Sequence, residues 1–309
     1  MKRLGRPNFF IVGAAKSGTS SLDRYLSQHP EVFIPPKKEA HYFSIPDFPP
    51  AFRGPGDEGM NLYTIRDRAE YDLLFDGVRD EKAVGESSVF YLYYPGTAKR
   101  IYEAYEDARI IIMLRNPVDR AFSAYMHLVR DERERLPFRE SLAKEDERIA
   151  GDFEPLWYYR AVGLYAEQVQ RYLDVFGPER VKVIIFEEFS RNPVAAVRDV
   201  CTFLEISPDF TPDTSIRHNE SGVPKSRAIY NFISKPHGIK EIVKPFLPAS
   251  FRERIGNQMK SMVLERVQME PDIRAELQGY FASDIAALED VLQRDLSIWR
   301  KHKQQASGQ

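Results

Sequence analysis

The sequence predicts an α/β fold, a single domain with a central parallel sheet flanked by helices, and two observations carry that reading. Three short apolar runs, Phe9-Phe10-Ile11-Val12, Arg109-Ile110-Ile111-Ile112-Met113-Leu114 and Val181-Lys182-Val183-Ile184-Ile185-Phe186, have the length and β-branched composition of strands buried on both faces. Amphipathic stretches at helical spacing lie between them. Strand and helix therefore alternate, the order that builds a parallel sheet covered on both sides.

A weaker fourth strand, Ala83-Val84-Gly85, ends at Glu86. Helical patterns run from Ser20 to Gln28, Gly96 to Tyr105, Val118 to Val129, Leu164 to Phe176 and Pro193 to Leu204. In the fourth of these Tyr165, Val169, Tyr172, Leu173 and Phe176 mark one face turned to a core. Ile273, Leu277, Tyr280, Phe281, Ile285, Leu288 and Leu292 recur at the same spacing and predict a long helix that closes the domain. The stretch from Arg130 to Arg148 alternates in charge and reads as solvated helix. No repeat or linker divides the chain, so 1–309 is taken as one domain with its core over about 8–300 and a disordered tail at 301–309.

Composition narrows the function. With 46 acidic and 44 basic residues the chain generates no global field that favours nucleic acid, so an anion site must be built locally. The single cysteine, Cys201, rules out an intrachain disulfide and a cysteine metal cluster, and its apolar helical setting predicts burial. The N-terminus, Met1 to Pro7, is basic, but the apolar run after it is too short for a signal peptide or a membrane span. Cytoplasmic residence is the expectation.

The first strand runs into Gly13-Ala14-Ala15-Lys16-Ser17-Gly18-Thr19-Ser20-Ser21, and Leu22, Tyr25 and Leu26 follow at helical spacing. Strand, glycine-rich turn and helix make a phosphate cradle of P-loop type: backbone N–H groups turn inward and the new helix presents its positive end. Lys16 adds a mobile charge, while Ser17, Thr19 and Ser20 add hydroxyls. The lysine stands earlier than in an ATP-binding loop, where it directly precedes the Ser/Thr that holds magnesium.

A second anion site is encoded in Arg115-Asn116-Pro117-Val118-Asp119-Arg120-Ala121-Phe122-Ser123. Arg115 stands at the carboxyl end of a strand, where ligands of open α/β sheets bind, and Ser123 lies about two turns along the helix that Pro117 starts. The residues alone leave two roles open for Arg115, a fork for a terminal phosphate or an ion pair with Asp119. Asp119 and Arg120 are expected to face outward or cap locally. Lys225, Ser226 and Arg227 form a further cationic loop that either closes over a nucleotide or is a solvated surface.

Together these motifs resemble the sulfotransferase superfamily that uses 3′-phosphoadenosine 5′-phosphosulfate (PAPS), especially bacterial relatives of the heparan-sulfate branch. The resemblance implies that Gly13 to Ser20 bind the 5′-phosphosulfate, that Arg115 and Ser123 bind the 3′-phosphate, and that Lys225 to Arg227 complete the nucleotide site. It makes Pro36-Lys37-Lys38-Glu39-Ala40-His41-Tyr42-Phe43 the segment of the general base: Glu39, with His41 as the rival. Lys16 would neutralise the departing 3′-phosphoadenosine 5′-phosphate (PAP), and no metal is expected to be required. One departure stands out. Related sequences carry a lysine where this chain has Ser87, which speaks against a polyanionic, heparan-like acceptor, and no counterpart of the eukaryotic membrane anchor or late disulfide loop is expected.

The expected acceptor is a small molecule, lipid or carbohydrate with a hydroxyl or amine. Glu86 either hydrogen-bonds that acceptor, braces Lys16 or serves a structural ion pair. Phe48, Tyr63 and Trp157 are the expected acceptor contacts, because the segments carrying them are aromatic and irregular.

Overall fold

The computed structural model describes residues 5–215, 223–224, 264–265 and 267–300. Five strands form the main sheet: β1 (Phe9–Gly13), β2 (Val32–Phe33), β3 (Ala83–Ser87), β4 (Arg109–Leu114) and β5 (Val181–Ile185). Their order is β2-β3-β1-β4-β5, and every neighbouring pair is parallel. β1 sits at the centre with β3 on one side and β4 on the other. A crevice therefore opens where the chain leaves the carboxyl end of β1.

The alternation of side chains across the strands divides the core in two. Phe10, Val12, Ile110, Ile112 and Leu114 face a larger cluster, and Phe9, Ile11, Ile111 and Met113 face a smaller one. Helices α1 (Thr19–Leu26), α9 (Phe186–Arg191) and α10 (Pro193–Phe203) cover the smaller face, where Cys201 is fully buried as its setting predicted. The larger face is covered by α4 (Thr97–Ala104), α5 (Pro117–Arg130), α8 (Tyr165–Phe176) and a C-terminal helix, Pro271–Leu292. Short helices α2 (Glu58–Tyr63), α3 (Arg68–Leu73), α6 (Phe138–Ala143) and α7 (Glu145–Ala150) fill the connections. Among the described residues no helix is long and apolar enough to cross a membrane.

The predicted strands and long helices are present, with ends moved by a residue or two, the usual fraying at termini. α5 starts at Pro117 because Asn116 caps it, its side chain accepting from the Val118 N–H at 3.0 Å. Strand β2 has no counterpart in the sequence reading, since two residues at a sheet edge leave no periodic signal.

Two expectations are corrected. The stretch from Arg130 to Arg148 is not one solvated helix: it breaks into turn, α6 and α7, and Glu134, Glu145 and Arg148 are buried. Glu134 pairs with Arg148 at 2.7 Å, and Glu145 accepts the backbone N–H groups of Arg160 and Ala161 at 2.8 Å. Arg120 does not face outward either. It is fully buried, and its Nη2 donates to the carbonyls of Tyr158 and Tyr159, because position 120 shares the core side of α5 with Ala121 and Ala124.

The C-terminal helix closes the larger face through Ile273, Leu277, Phe281 and Leu288, and Gly163 lies so close that a Cβ there would meet the Phe281 ring at 2.9 Å. We expect Phe281→Ala to cost about 3–5 kcal/mol in a denaturant titration of the whole chain. A loss below about 1 kcal/mol would mean that the helix is peripheral to the core.

Candidate active site

A cleft of about 400 Å³ lies over the carboxyl ends of the strands. Four of the five strands lead directly into it: β1 the turn with Lys16 and Gly18, β3 Val89 and Phe90, β4 Arg115 and β5 Phe186. The turn can curl only because position 18 is glycine. Gly18 has φ +91°, and a Cβ there would lie 2.7 Å from the Phe186 ring. Phe186 in turn lies under the Arg115 guanidinium, 5.0 Å from its carbon to the ring centre.

Arg115 has no carboxylate within ion-pair distance among the described residues. Its Nη1 donates to the Lys16 carbonyl at 3.2 Å, which ties the second anion motif to the first. Asp119, the partner left open by the sequence, pairs instead with Arg274 at 2.8 Å. Lys16 lies in the left-handed region at φ +68°, and its ammonium donates to His127 Nδ1 at 3.2 Å. Burial, then the nearby Arg130, lowers the Lys16 amine to about 8. Burial, then Lys16 and Arg130, lowers His127 to about 3, so it stays neutral and acts as an acceptor.

The opposite wall carries the carboxylate. Glu39 docks on the end of β3: its N–H donates to the Ser87 carbonyl at 3.0 Å, and its Oε2 accepts from the Val89 N–H at 2.9 Å. Burial raises the carboxyl to about 6, against the opposing pull of Lys38. Lys38 reaches back to Asp23 and to the Ser20 hydroxyl, each at 3.5 Å, and so links the Glu39 segment to the first turn of α1. His41 is buried against Phe90, with ring centres 5.6 Å apart, and its Nε2 lies 3.3 Å from Glu39 Oε2. Burial drives the His41 ring down to about 3, so at neutral pH it is an uncharged donor toward Glu39.

The model of the sulfotransferase family matches residues 7–105 and 93–212. The chain belongs to the sulfotransferase family. A sulfotransferase of known structure from Alicyclobacillus acidocaldarius is 62% identical, with a TM-score of 0.79, over 96% of this chain and 100% of that one. A membrane-associated sulfotransferase from Dictyostelium discoideum is 34% identical over 124 residues, 40% of this chain and 23% of the relative. The human bifunctional heparan sulfate N-deacetylase/N-sulfotransferase 2 is 26% identical over 241 residues, 69% of this chain and 24% of the relative. This sulfotransferase thus spans about a quarter of the length of those curated relatives.

Of the residues singled out in the sequence, the sulfotransferase brings Lys16, Gly18, Thr19, Ser20, Glu39, His41, Tyr63, Arg115 and Ser123 into the one cleft. Ser17 is buried beneath the turn. Lys225, Ser226 and Arg227 lie outside the described residues. Three expected contacts do not line the cleft. Phe48 packs inward on Phe52 and Tyr94, at 5.0 and 4.9 Å between ring centres. Trp157 is buried in the wall, its indole N–H bound to Asp57 at 3.0 Å with Arg148 stacked 4.7 Å from its ring centre.

Glu86, the third, is buried behind the cleft, accepts from Ser88 at 2.5 Å, and forms no ion pair among the described residues. Ser87 is likewise buried and off the cleft surface. The sequence reading missed His127 and Arg130, although with Ser123 they recur three and four residues apart on one face of α5.

The cleft sets a measurable titration. Carboxyl-carbon NMR of glutamate-labelled protein should show Glu39 titrating near pH 6, below Glu86 and Glu154, which burial raises to about 7, and the signal near pH 6 should vanish in Glu39→Gln. Lys38→Met should move it upward, because Lys38 opposes the burial effect. A titration at ordinary carboxylate pH would contradict the desolvated setting.

Proposed function

We propose that the chain transfers a sulfuryl group from PAPS to a hydroxyl or amine of a small-molecule, lipid or carbohydrate acceptor by in-line displacement. The observation that carries this reading is the meeting, in one cleft, of two cations without carboxylate partners among the described residues, Lys16 and Arg115, and a carboxylate whose pKa is raised by partial burial, Glu39. The name of the human relative, an N-sulfotransferase, supports the reaction class.

The residues suit a multiply charged nucleotide. The free N–H groups at the start of α1, with Thr19 and Ser20, face the place where a phosphosulfate would lie, and Arg115 with Ser123 offers a fork and a hydroxyl for a terminal phosphate. Lys16 stands where the leaving phosphate gathers charge. Glu39 takes the proton of the acceptor as the new bond to sulfur forms and the bond from sulfur to the phosphate oxygen breaks. His41, neutral and buried, orients Glu39 rather than replacing it, since a group with a pKa near 3 is a weak base at neutral pH.

This assignment fixes the pH dependence. Glu39 acts as the carboxylate, so kcat/KM should rise as pH passes about 6; Lys16 acts as the ammonium, so it should fall as pH passes about 8. A transfer assay with radiolabelled PAPS checks both limbs. Glu39→Gln should lose about 10²- to 10⁴-fold in turnover and lose the acid limb while PAP affinity is retained. Near-normal turnover in that variant would remove Glu39 from the chemistry.

A further inference from the structure

A second carboxylate lines the cleft and plays no part in donor binding or proton transfer. Glu154 stands in the lining beside Leu156 and is only 7% exposed. Its backbone is fixed on both sides: the N–H donates to Asp57 at 2.8 Å, and the carbonyl accepts from the Trp157 N–H at 3.0 Å across the turn Pro155–Trp157. An ion pair from its Oε1 to Arg133, at 2.7 Å, then holds the side chain in place.

Pairing with Arg133 does not account for this carboxylate. Arg133 already has one in Asp57, which is fully buried and saturated. Asp57 Oδ1 accepts from Arg133 and from the Trp157 indole at 3.0 Å, and its Oδ2 accepts from the Gly54 and Glu154 N–H groups, both at 2.8 Å. A second carboxylate against the same guanidinium adds desolvation and repulsion from Asp57. Burial accordingly raises the Glu154 carboxyl to about 7, against the pull of Arg133 and with a further push from Asp57. Glu154 Oε2 has no hydrogen-bond partner among the described residues, and the side chain that carries it lines the cleft. A desolvated carboxylate oxygen short of donors gains from a ligand that brings one.

The cation of the same wall has no such capacity left. Arg133 commits Nη2 to Asp57, Nη1 to Glu154 and Nε to the Pro55 carbonyl at 2.6 Å. An anionic group on the acceptor would therefore meet an open carboxylate and a closed guanidinium, whereas a hydroxyl or an ammonium completes the carboxylate. Resting on the sulfuryl-transfer reading, we propose that Glu154 is an acceptor-binding residue. It selects an acceptor that carries a second hydrogen-bond donor, a hydroxyl or an ammonium, besides the group that Glu39 deprotonates. An acceptor with one hydroxyl on an apolar body leaves Glu154 unsatisfied, and an anionic acceptor is repelled.

The test uses the whole chain, radiolabelled PAPS and a set of para-substituted phenols of similar size: tyrosol, tyramine, 4-propylphenol and 4-hydroxyphenylacetate. Transfer to the phenolic oxygen is followed by separating the labelled products. kcat/KM for tyrosol and for tyramine should exceed that for 4-propylphenol by about 10- to 100-fold, the worth of one hydrogen bond to a charged group, and 4-hydroxyphenylacetate should be the poorest acceptor. In Glu154→Gln, whose amide oxygen still accepts, tyrosol should keep its advantage and tyramine should lose it. In Glu154→Leu both should fall to within about twofold of 4-propylphenol. Asp57 keeps Arg133 paired in either variant, so PAP affinity measured by calorimetry should stay at the wild-type value and show that the variants are folded. An advantage that survives Glu154→Leu, equal turnover of 4-propylphenol and the donor-bearing phenols in wild type, a preference for 4-hydroxyphenylacetate, or PAP binding with no transfer to any phenol of the set would each overturn the role of Glu154. Failure of the wild-type chain to bind PAP would instead overturn the sulfuryl-transfer reading beneath it.

Discussion

The site is organised around positive charge that no carboxylate among the described residues neutralises. Lys16 and Arg115 stand together at the carboxyl edge of the sheet, and burial, then Arg130, Arg115 and Arg120, lowers the Lys16 amine to about 8. Gathering cations in a partly desolvated cleft is costly, and the cost is returned only by an anion that binds there. Much of the surrounding structure serves that end: Gly18 lets the turn curl against Phe186, Phe186 supports the Arg115 guanidinium, and the neutral ring of His127 holds the Lys16 ammonium without supplying a counter-charge. A histidine that protonated here would add to the repulsion, and burial, then Lys16 and Arg130, keeps it from doing so.

The wall proposed to face the acceptor follows the opposite rule. Arg133 there is closed into pairs with Asp57 and Glu154, and Arg148 is paired with Glu134, so the wall is held rigid by ionic contacts that leave little net charge for a ligand. Arg120 joins the two sides: it arises from the donor-side helix and binds the carbonyls of Tyr158 and Tyr159, next to the segment that carries Glu154 and Leu156 into the cleft. On the proposed reading, donor and acceptor surfaces are thereby fixed relative to one another, as the proposed in-line displacement requires.

What the sequence disclosed, and what it concealed, follows from how local each signal is. β1, β4 and β5 were legible as apolar runs and the turn from Gly13 to Ser20 as a cradle, because each depends on consecutive residues. Glu39 was legible only through its place after that turn; nothing local announces that its carboxylate docks on the Val89 N–H. Trp157 and Phe48 looked like ligand contacts because they are aromatic, yet Asp57 and Arg148 draw the first into the wall, and Phe52 and Tyr94 enclose the second. Arg120 misled in a similar way, since charged residues read as exposed until a tertiary partner is known. His127 and Arg130 could have been found by extending the helical spacing from Ser123.

The central claim is that the unpaired cations await a nucleotide carrying a separate terminal phosphate. Calorimetric titration of the whole chain with PAP, and with AMP, which lacks only the 3′-phosphate, tests it most directly, in wild type and in Arg115→Ala. The account predicts that wild type prefers PAP by about 10- to 100-fold, with or without magnesium, and that Arg115→Ala abolishes the preference while AMP affinity changes little. Equal affinity for the two nucleotides in wild type, or a preference that survives the loss of Arg115, would contradict it.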